Sequence, residues 1–315
     1  MPANVYTSPQ VVGNREDLID RIFRTSPTDT PFVSRIARVD ASAVYHEWQR
    51  DTLRAPNPAN AAPEGADATF AKQAPTERLG NRCQIFTDSF SISGTQQAVD
   101  HAGGPELNRL KAKKALEQKK DVEASCIASP IQQIEDATHN RKLRGLNGWI
   151  ETNNNMGAGG VPPDPINNLP PTAGTARAFD ETSFKDAILK AYTNGGDIQF
   201  AIMPPHLKQM ASGFDGNVVR QQNIDDSRPT LRTAYAFYGS DFGVIEMVPD
   251  RVMANGIDNN VYGIDPDYWA VATLRGFETN KLGKTGDNDG YEMVTELTLE
   301  AREERSSFAV RDLTP

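Results

Sequence analysis

The sequence predicts an α+β fold, and three observations lead to that class. Helix formers continue without a breaker from Pro105 to Ser129, which predicts one long helix. Strand-like runs later in the chain follow no regular strand–helix–strand repeat, so a doubly wound parallel sheet is not expected. These runs are 198–203, 243–249, 268–275 and 292–300. Two long polar stretches, 55–81 and 153–176, indicate one body with projecting parts.

The composition excludes several classes of protein. Of the 315 residues, 38% are hydrophobic and 24% are charged, and the mean hydropathy is −0.55, as in globular chains. No stretch approaches the roughly 20 apolar residues of a membrane helix, and no signal peptide opens the chain, so we expect a soluble protein. The formal net charge of −9 opposes general affinity for nucleic acid or anionic lipid. Cys83 and Cys126 are too few for a disulfide scaffold or a structural zinc site.

The first part of the chain predicts an arm. Within residues 1–40, only 15–24 have the apolar spacing of a short amphipathic helix. Two prolines in the stretch 25–32 exclude a continuous helix there. We therefore expect extended backbone over the rest of this arm.

The segment after the arm is predicted to form a long two-stranded ribbon. Residues 43–54 and 82–93 are rich in β-branched and aromatic side chains and predict its two strands. The connection between them, 55–81, has neither an apolar stripe nor an alternating face. Because an isolated hairpin is only marginally stable in water, we expect a partner to cover the ribbon. Other copies of this chain are the simplest such partner.

The long helix has a thin apolar side and a crowded basic one. The predicted apolar side consists of Leu107, Leu110, Ala115, Val122 and Cys126. The basic side chains are Arg109, Lys111, Lys113, Lys114, Lys119 and Lys120. They predict either an electropositive surface that faces nucleic acid or an acidic partner, or an ordinary solvated helix face.

Three segments partly match known chemical sites. His46–Arg50 begins like a zinc motif but lacks its second histidine, and Gly283–Thr285 ends like a phosphate loop without the opening glycine. Residues 285–296 partly match a calcium loop, yet the leading aspartate is missing and an Asp-Gly pair favours a hairpin turn. We therefore predict no catalytic residue, no metal ligand and no cofactor.

Several stretches in a fixed order carry a family resemblance. They are TSPTDTPF (25–32), NRCQIF (81–86), GLNGWIETN (145–153), DFGVIEMVPDR (241–251), VYGIDPDYWAVATLR (261–275) and ELTLEAREE (296–304). Together they cover most of the chain and make it similar to the major capsid proteins of tailed bacteriophages, which have the Hong Kong ninety-seven-type fold.

The resemblance implies the parts of that fold. They are an N-terminal arm (1–40), an E-loop ribbon (41–102), a spine helix with a peripheral domain (103–197), an axial domain (198–285) and return strands of the peripheral domain (286–315). Pro130 should end or kink the spine helix, with a separate helical piece over 131–142.

The resemblance also implies a function without enzymatic activity. Copies are expected to form hexamers and pentamers that tile an icosahedral head around double-stranded DNA. The virion would assemble in the host cytoplasm with portal, scaffolding and decoration proteins, without a membrane. DNA would make only weak, non-specific contacts, with the basic side of the spine helix on the inner face. Candidate intersubunit charge pairs involve Glu64, Asp67, Lys72, Glu77 and Arg78.

The sequence is also compatible with two other functions. An encapsulin-like compartment shell would have the same fold but would enclose a protein cargo. A calcium-binding or hydrolytic surface protein would use the 285–296 loop.

Overall fold

The computed structural model describes residues 29–70, 72–99, 105–214, 237–254, 256–284 and 286–314. Its helices are α1 (Pro31–Arg35), α2 (Gly94–Ala98), α3 (Glu106–Ala128), α4 (Leu146–Trp149), α5 (Glu181–Thr193) and α6 (Pro205–Ala211). Its strands are β1 (Ala37–Asp40), β2 (Tyr45–Arg50), β3 (Glu77–Arg82), β4 (Gln84–Ser93), β5 (Asn154–Asn155), β6 (Phe200–Met203), β7 (Phe237–Ser240), β8 (Gly243–Pro249), β9 (Val261–Ile264), β10 (Trp269–Lys281), β11 (Asn288–Ala301) and β12 (Phe308–Val310). The predicted helix over 15–24 lies outside the described residues.

The strands form two larger sheets and one ribbon. One sheet has the order β1–β10–β11–β4, and the other has the order β5–β12–β9–β6–β8–β7. The ribbon is the two-stranded sheet of β2 and β3. Strands β10 and β11 pair in antiparallel fashion, which confirms the predicted hairpin, but Asp289 and Gly290 lie within β11 and do not form its turn. The mixture of sheets and helices confirms the α+β class.

The long helix α3 packs against the four-stranded sheet. Its bounds agree with the sequence prediction, but only its second half is deeply buried: Gln118, Val122, Glu123, Cys126 and Ile127. Leu107, Leu110 and Ala115 are only half-buried, so the predicted apolar side is deeply buried in the second half alone. The main core lies under the second half of α3 and includes Trp149 and Trp269.

Glycines allow a close approach at the end of α3. A Cβ atom on Gly148 would lie 2.1 Å from the carbonyl oxygen of Pro130, and one on Gly145 would lie 2.6 Å from that of Cys126. The short helix α4 therefore packs directly on the C-terminal end of α3. None of the described helices is both long and apolar enough to cross a membrane.

A second core lies between α5 and the six-stranded sheet. The Asp180 carboxylate accepts a hydrogen bond from the Ser183 backbone N–H (3.1 Å) and so caps the start of α5. The helix then buries Phe184 and Ile188 against the sheet.

Three local predictions are wrong. Extended backbone is expected before residue 40, but Pro31 opens the short helix α1, because proline is tolerated in a first helical turn. Strand β2 pairs with Glu77–Arg82, whereas the predicted partner 82–93 instead pairs with β11. Residues 131–142 form no helix; Gln133 and Lys142 make an antiparallel bridge there.

Candidate assembly surfaces

The ribbon is firmly attached to the body at its base. The buried Asn81 side chain accepts a hydrogen bond from the Arg144 N–H (2.9 Å) and donates to the carbonyl oxygens of Arg144 (2.9 Å) and Leu299 (2.8 Å). Trp48 packs against Trp149, with 5.4 Å between ring centroids. The ribbon therefore leaves the main core in a fixed direction.

The connection between β2 and β3, residues 51–76, is the tip of the ribbon. Every described residue of the tip is exposed, and none belongs to a helix or strand. Leu53 is 100% exposed and Phe70 is 95% exposed. Two large apolar side chains thus extend into solvent at the end of a well-anchored ribbon, which is typical of a binding surface.

The five predicted intersubunit residues divide into two groups. Glu77 accepts a hydrogen bond from Arg50 (Nε to Oε2, 2.8 Å), and Arg78 pairs with Glu47 across the ribbon. Glu64, Asp67 and Lys72 lie on the tip and form no ion pair with any residue that the structure describes. Two of the candidates therefore have partners within the chain, and three are available for other molecules.

Most of the basic residues of α3 also have partners in the same chain. Lys114 Nζ lies 3.1 Å from Asp88 and 3.0 Å from Glu117, and these two hydrogen bonds raise the pKa of Lys114. Arg109 pairs with Glu106, and the Lys113 ammonium lies 3.7 Å from Glu117.

The remaining basic residues of α3 form no ion pair with a carboxylate of the described residues. The Lys111 ammonium lies 4.7 Å from the centroid of the Tyr291 ring, a cation–π contact. Lys119 and Lys120 make no ion pair within 4 Å to the described part of the chain. The basic stripe is thus partly neutralised, and Lys119 and Lys120 are its most available charges.

A buried carboxylate joins α3 to α1. Glu123, which is 0% exposed, accepts hydrogen bonds from the backbone N–H groups of Phe32 (2.7 Å) and Val33 (2.9 Å). Burial raises the pKa of Glu123 to about 7, although the two backbone hydrogen bonds act in the opposite direction. Asp250 is also buried, and desolvation raises its pKa to about 6. The two hydrogen bonds to Glu123 therefore hold α1 against α3.

The loop that partly matched a calcium site is arranged differently. Asp289 bonds to Lys281 (3.1 Å), whereas the buried Glu296 bonds to Arg275 (2.8 Å) and Arg141. The described residues contain no group of three His, Cys, Asp or Glu side chains that could hold a metal ion. Thr285 lies outside the described residues. The two carboxylates therefore bind separate cationic side chains of the same sheet.

Sequence reasoning missed Asn81 and Glu123 as positioning residues. Their partners lie tens to hundreds of positions away, so no local motif marks them. The signal available was a polar residue within an otherwise apolar environment: Glu123 stands between Val122 and Cys126 on the predicted apolar side. Cys83 and Cys126 are both buried and free, and burial raises the pKa of Cys83 to about 11.

Comparison with known proteins identifies relatives along the whole chain. A major capsid protein of Escherichia phage Phieco32 is 24% identical, with 88% of each chain covered. Among solved structures, a chain of the Cyanophage A-1(L) capsid asymmetric unit has a TM-score of 0.67 at 15% identity, covering 98% of this chain and 99% of that chain. A chain from Mycobacterium phage Adephagia has a TM-score of 0.63 at 10% identity, covering 99% and 100%.

The likeness to these structures covers 98–99% of the chain and confirms the Hong Kong ninety-seven-type fold. The family model described as SU10 major capsid protein matches residues 4–314. The match includes the ribbon, α3 and both sheets, and it confirms the resemblance to phage major capsid proteins. The chain belongs to the SU10 major capsid protein family.

Proposed function

We propose that copies of this chain form hexamers and pentamers that tile an icosahedral phage head around double-stranded DNA. The tip of the ribbon is the observation that carries this proposal. Its Leu53 and Phe70 side chains contact no core formed by the described residues, and burying each against a neighbouring copy would contribute about 1.5–3 kcal/mol. The anchored base holds the tip away from the described part of its own body, which leaves it accessible to a neighbouring copy.

Charge pairs at the tip would make the assembly reversible. Glu64, Asp67 and Lys72 are the available candidates, and an exposed pair contributes only about 0.2–1 kcal/mol. Glu77 and Arg78 would contact a neighbour only by sharing their present partners. Weak individual contacts allow a misplaced copy to leave before the shell closes.

The role proposed here is structural rather than enzymatic, and it includes further partners. Portal, scaffolding and decoration proteins would complete the head during assembly in the host cytoplasm. Packaged DNA would make weak, salt-dependent contacts with the basic side of α3, chiefly through Lys119 and Lys120. Because the net charge of −9 has the same sign as the charge of DNA, it favours enclosing DNA without strong binding.

The double variant Leu53→Ser/Phe70→Ser tests the proposal. The purified wild-type protein is expected to form closed shells visible by electron microscopy, and the variant is expected to remain as small oligomers or monomers. Its free energy of unfolding should stay within about 0.5 kcal/mol of wild type, because both side chains are exposed within one chain.

A matched control keeps the apolar surface. Leu53→Met/Phe70→Leu should assemble as the wild type does. Shells of the serine variant at the wild-type yield would contradict the role of the tip, and a monodisperse wild-type monomer would contradict the shell itself. The contents of particles isolated from infected cells separate the alternatives, since a phage head holds DNA and an encapsulin-like shell holds protein.

A further inference from the structure

A pocket lies between the outer face of α5 and the turn that joins β7 to β8. Its volume is about 330 Å³, which is within the range of small-molecule sites. The helix lines it with Thr182, Lys185 and Leu189, which are three or four residues apart and therefore share one face. The turn lines it with Asp241 and Phe242. We call this cavity the α5 pocket.

The turn beside the α5 pocket is closed by one serine. The Ser240 hydroxyl donates a hydrogen bond to the carbonyl oxygen of Gly243 (2.7 Å) and accepts one from the backbone N–H of Phe242 (3.3 Å). Because Ser240 also pairs with Gly243 across the hairpin, Asp241 and Phe242 are the two central residues of the turn. The turn therefore presents a carboxylate and an aromatic ring to the same helix.

The Phe242 ring separates the α5 pocket from a smaller cavity, and it lines both. Tyr192 stacks on this ring with 4.3 Å between centroids, and it lines the smaller cavity but not the α5 pocket. One face of the Phe242 ring is thus covered by Tyr192, and the other face is turned toward the α5 pocket. Phe242 is 38% exposed and Leu189 is 49% exposed, so both side chains can contact a ligand.

The charged side chains around the α5 pocket are not fully paired. Lys185 lies 2.8 Å from Glu181, and Lys190 lies 2.8 Å from Asp186, so each lysine already has a carboxylate one helical turn away. The Glu181 hydrogen bond raises the pKa of Lys185, and the charge of Asp241 acts in the same direction. Asp241 is exposed and forms no ion pair with any residue that the structure describes.

This lining determines which kind of ligand fits. A cation beside Asp241 would gain an ion pair, and over the free face of Phe242 it would also gain a cation–π contact. A hydrocarbon chain attached to the cation would cover Leu189. An anion would be repelled by Asp186 and Asp241, and a purely apolar ligand would desolvate Asp241 without giving it a partner. The pocket therefore suits an ammonium group on an aliphatic chain.

A second carboxylate oxygen favours a chain with two ammonium groups. Lys190 (2.8 Å) and Asn155 (2.7 Å) both bind Oδ2 of Asp186, and none of the described residues donates a hydrogen bond to its Oδ1. Asp186 lines the α5 pocket together with Asp241. One carboxylate can thus receive each end of a short diamine.

We propose that the α5 pocket binds a linear aliphatic amine of the diamine and polyamine class, with one ammonium group at Asp241 and the carbon chain along Phe242 and Leu189. This site goes beyond the proposed shell function, because it lies within one chain and its ligand is neither another copy nor DNA.

A titration of the full-length, unassembled protein with cadaverine, followed by ligand-observed NMR, tests the site. The diamine should bind saturably, whereas pentanediol, which has the same carbon chain without a charge, should not bind. Asp241→Asn and Phe242→Leu should each weaken cadaverine binding about two- to fivefold, because they remove the ion pair and the cation–π contact. Asp40→Asn is the matched control, since it removes an exposed carboxylate from β1 and should bind as the wild type does.

Three results would overturn the proposal. Unchanged binding in Asp241→Asn, or an equal loss in Asp40→Asn, would show that Asp241 does not recognise the ligand. Equal binding of pentanediol would show that the pocket accepts any aliphatic chain. Binding of a lysine-containing peptide without binding of cadaverine would replace a free amine with a protein partner as the source of the ammonium group. Because the unassembled chain is used, none of these results depends on shell formation.

Discussion

The two halves of α3 are held in place by different forces. The second half buries Val122, Cys126 and Ile127 in the main core. The first half is only half-buried and contacts the sheet through an ion pair of Lys114 and a cation–π contact of Lys111. One continuous helix therefore combines a part that stabilises the fold with a part whose surface can change without loss of the fold. Assembly contacts are expected on the second kind of surface.

The largest expected change in the free energy of unfolding comes from the difference in packing between the two halves of α3. Ile127→Ala should lower the free energy of unfolding by about 2–5 kcal/mol, because it removes a fully buried side chain and leaves a cavity. Leu107→Ala, its counterpart in the first half, should cost less than about 1 kcal/mol. Urea unfolding of the unassembled protein measures both. Equal losses would show that the two halves are packed alike.

The sequence predicted the ends of α3 well but not the shallower burial of its first half. Pro105 before the helix and Pro130 after it mark both ends locally. Leu107 and Leu110 have the same apolar character as Val122, so the sequence places all three on one buried side. What the sequence does not show is the layer above the second half of the helix, where α1 binds Glu123 and α4 packs on Cys126. That layer depends on contacts between segments far apart in the chain.

In the ribbon, too, the sequence predicted the features that depend on local residues and missed those that depend on distant contacts. Composition alone marked the tip as an exposed connection, because its prolines and alanines provide no face to bury. The partner of β2 was beyond local reasoning, since Glu77–Arg82 looks too polar for a strand. Asn81 holds that strand by its side-chain amide, a tertiary contact to Arg144 and Leu299 that no strand propensity contains.

An intermediate effect concerns the buried carboxylate in the second half of α3. The folded pKa of Glu123 is about 7, above its ordinary value of 4.5, so folding favours the protonated form. Its stabilising contribution is therefore complete below about pH 4.5 and is lost as the pH rises through 7. The difference amounts to roughly 2–4 kcal/mol.

Glu123→Gln isolates this contribution. The amide cannot ionise, so the fall in unfolding free energy between pH 4.5 and 7 should be smaller in the variant than in wild type. Urea unfolding at several pH values measures the difference. Identical pH profiles would mean that Glu123 stays ionised in the fold and acts only as an acceptor for α1.

The smallest expected effect belongs to the first half of α3. Lys114→Gln removes the ion pairs to Asp88 and Glu117 and should lower the unfolding free energy by about 0.3–1 kcal/mol at low salt. The loss should shrink toward zero near 1 M salt, where such charges are screened. A salt-independent loss above about 2 kcal/mol would place Lys114 among the residues that stabilise the core, and the contrast between the halves would fail.

The hydrogen bonds between Glu123 and α1 also determine how the protein resists a pulling force. A pull on the chain before Asp29 reaches α1 first, whose Phe32 and Val33 N–H groups are held by the buried carboxylate. The load then passes to β1, which lies parallel to β10 over Ala37–Asp40 and is loaded in shear, so its hydrogen bonds must yield together. Tension on the N-terminal end is thus delivered to the main core, to which Phe32 and Val33 belong, before it reaches the ribbon.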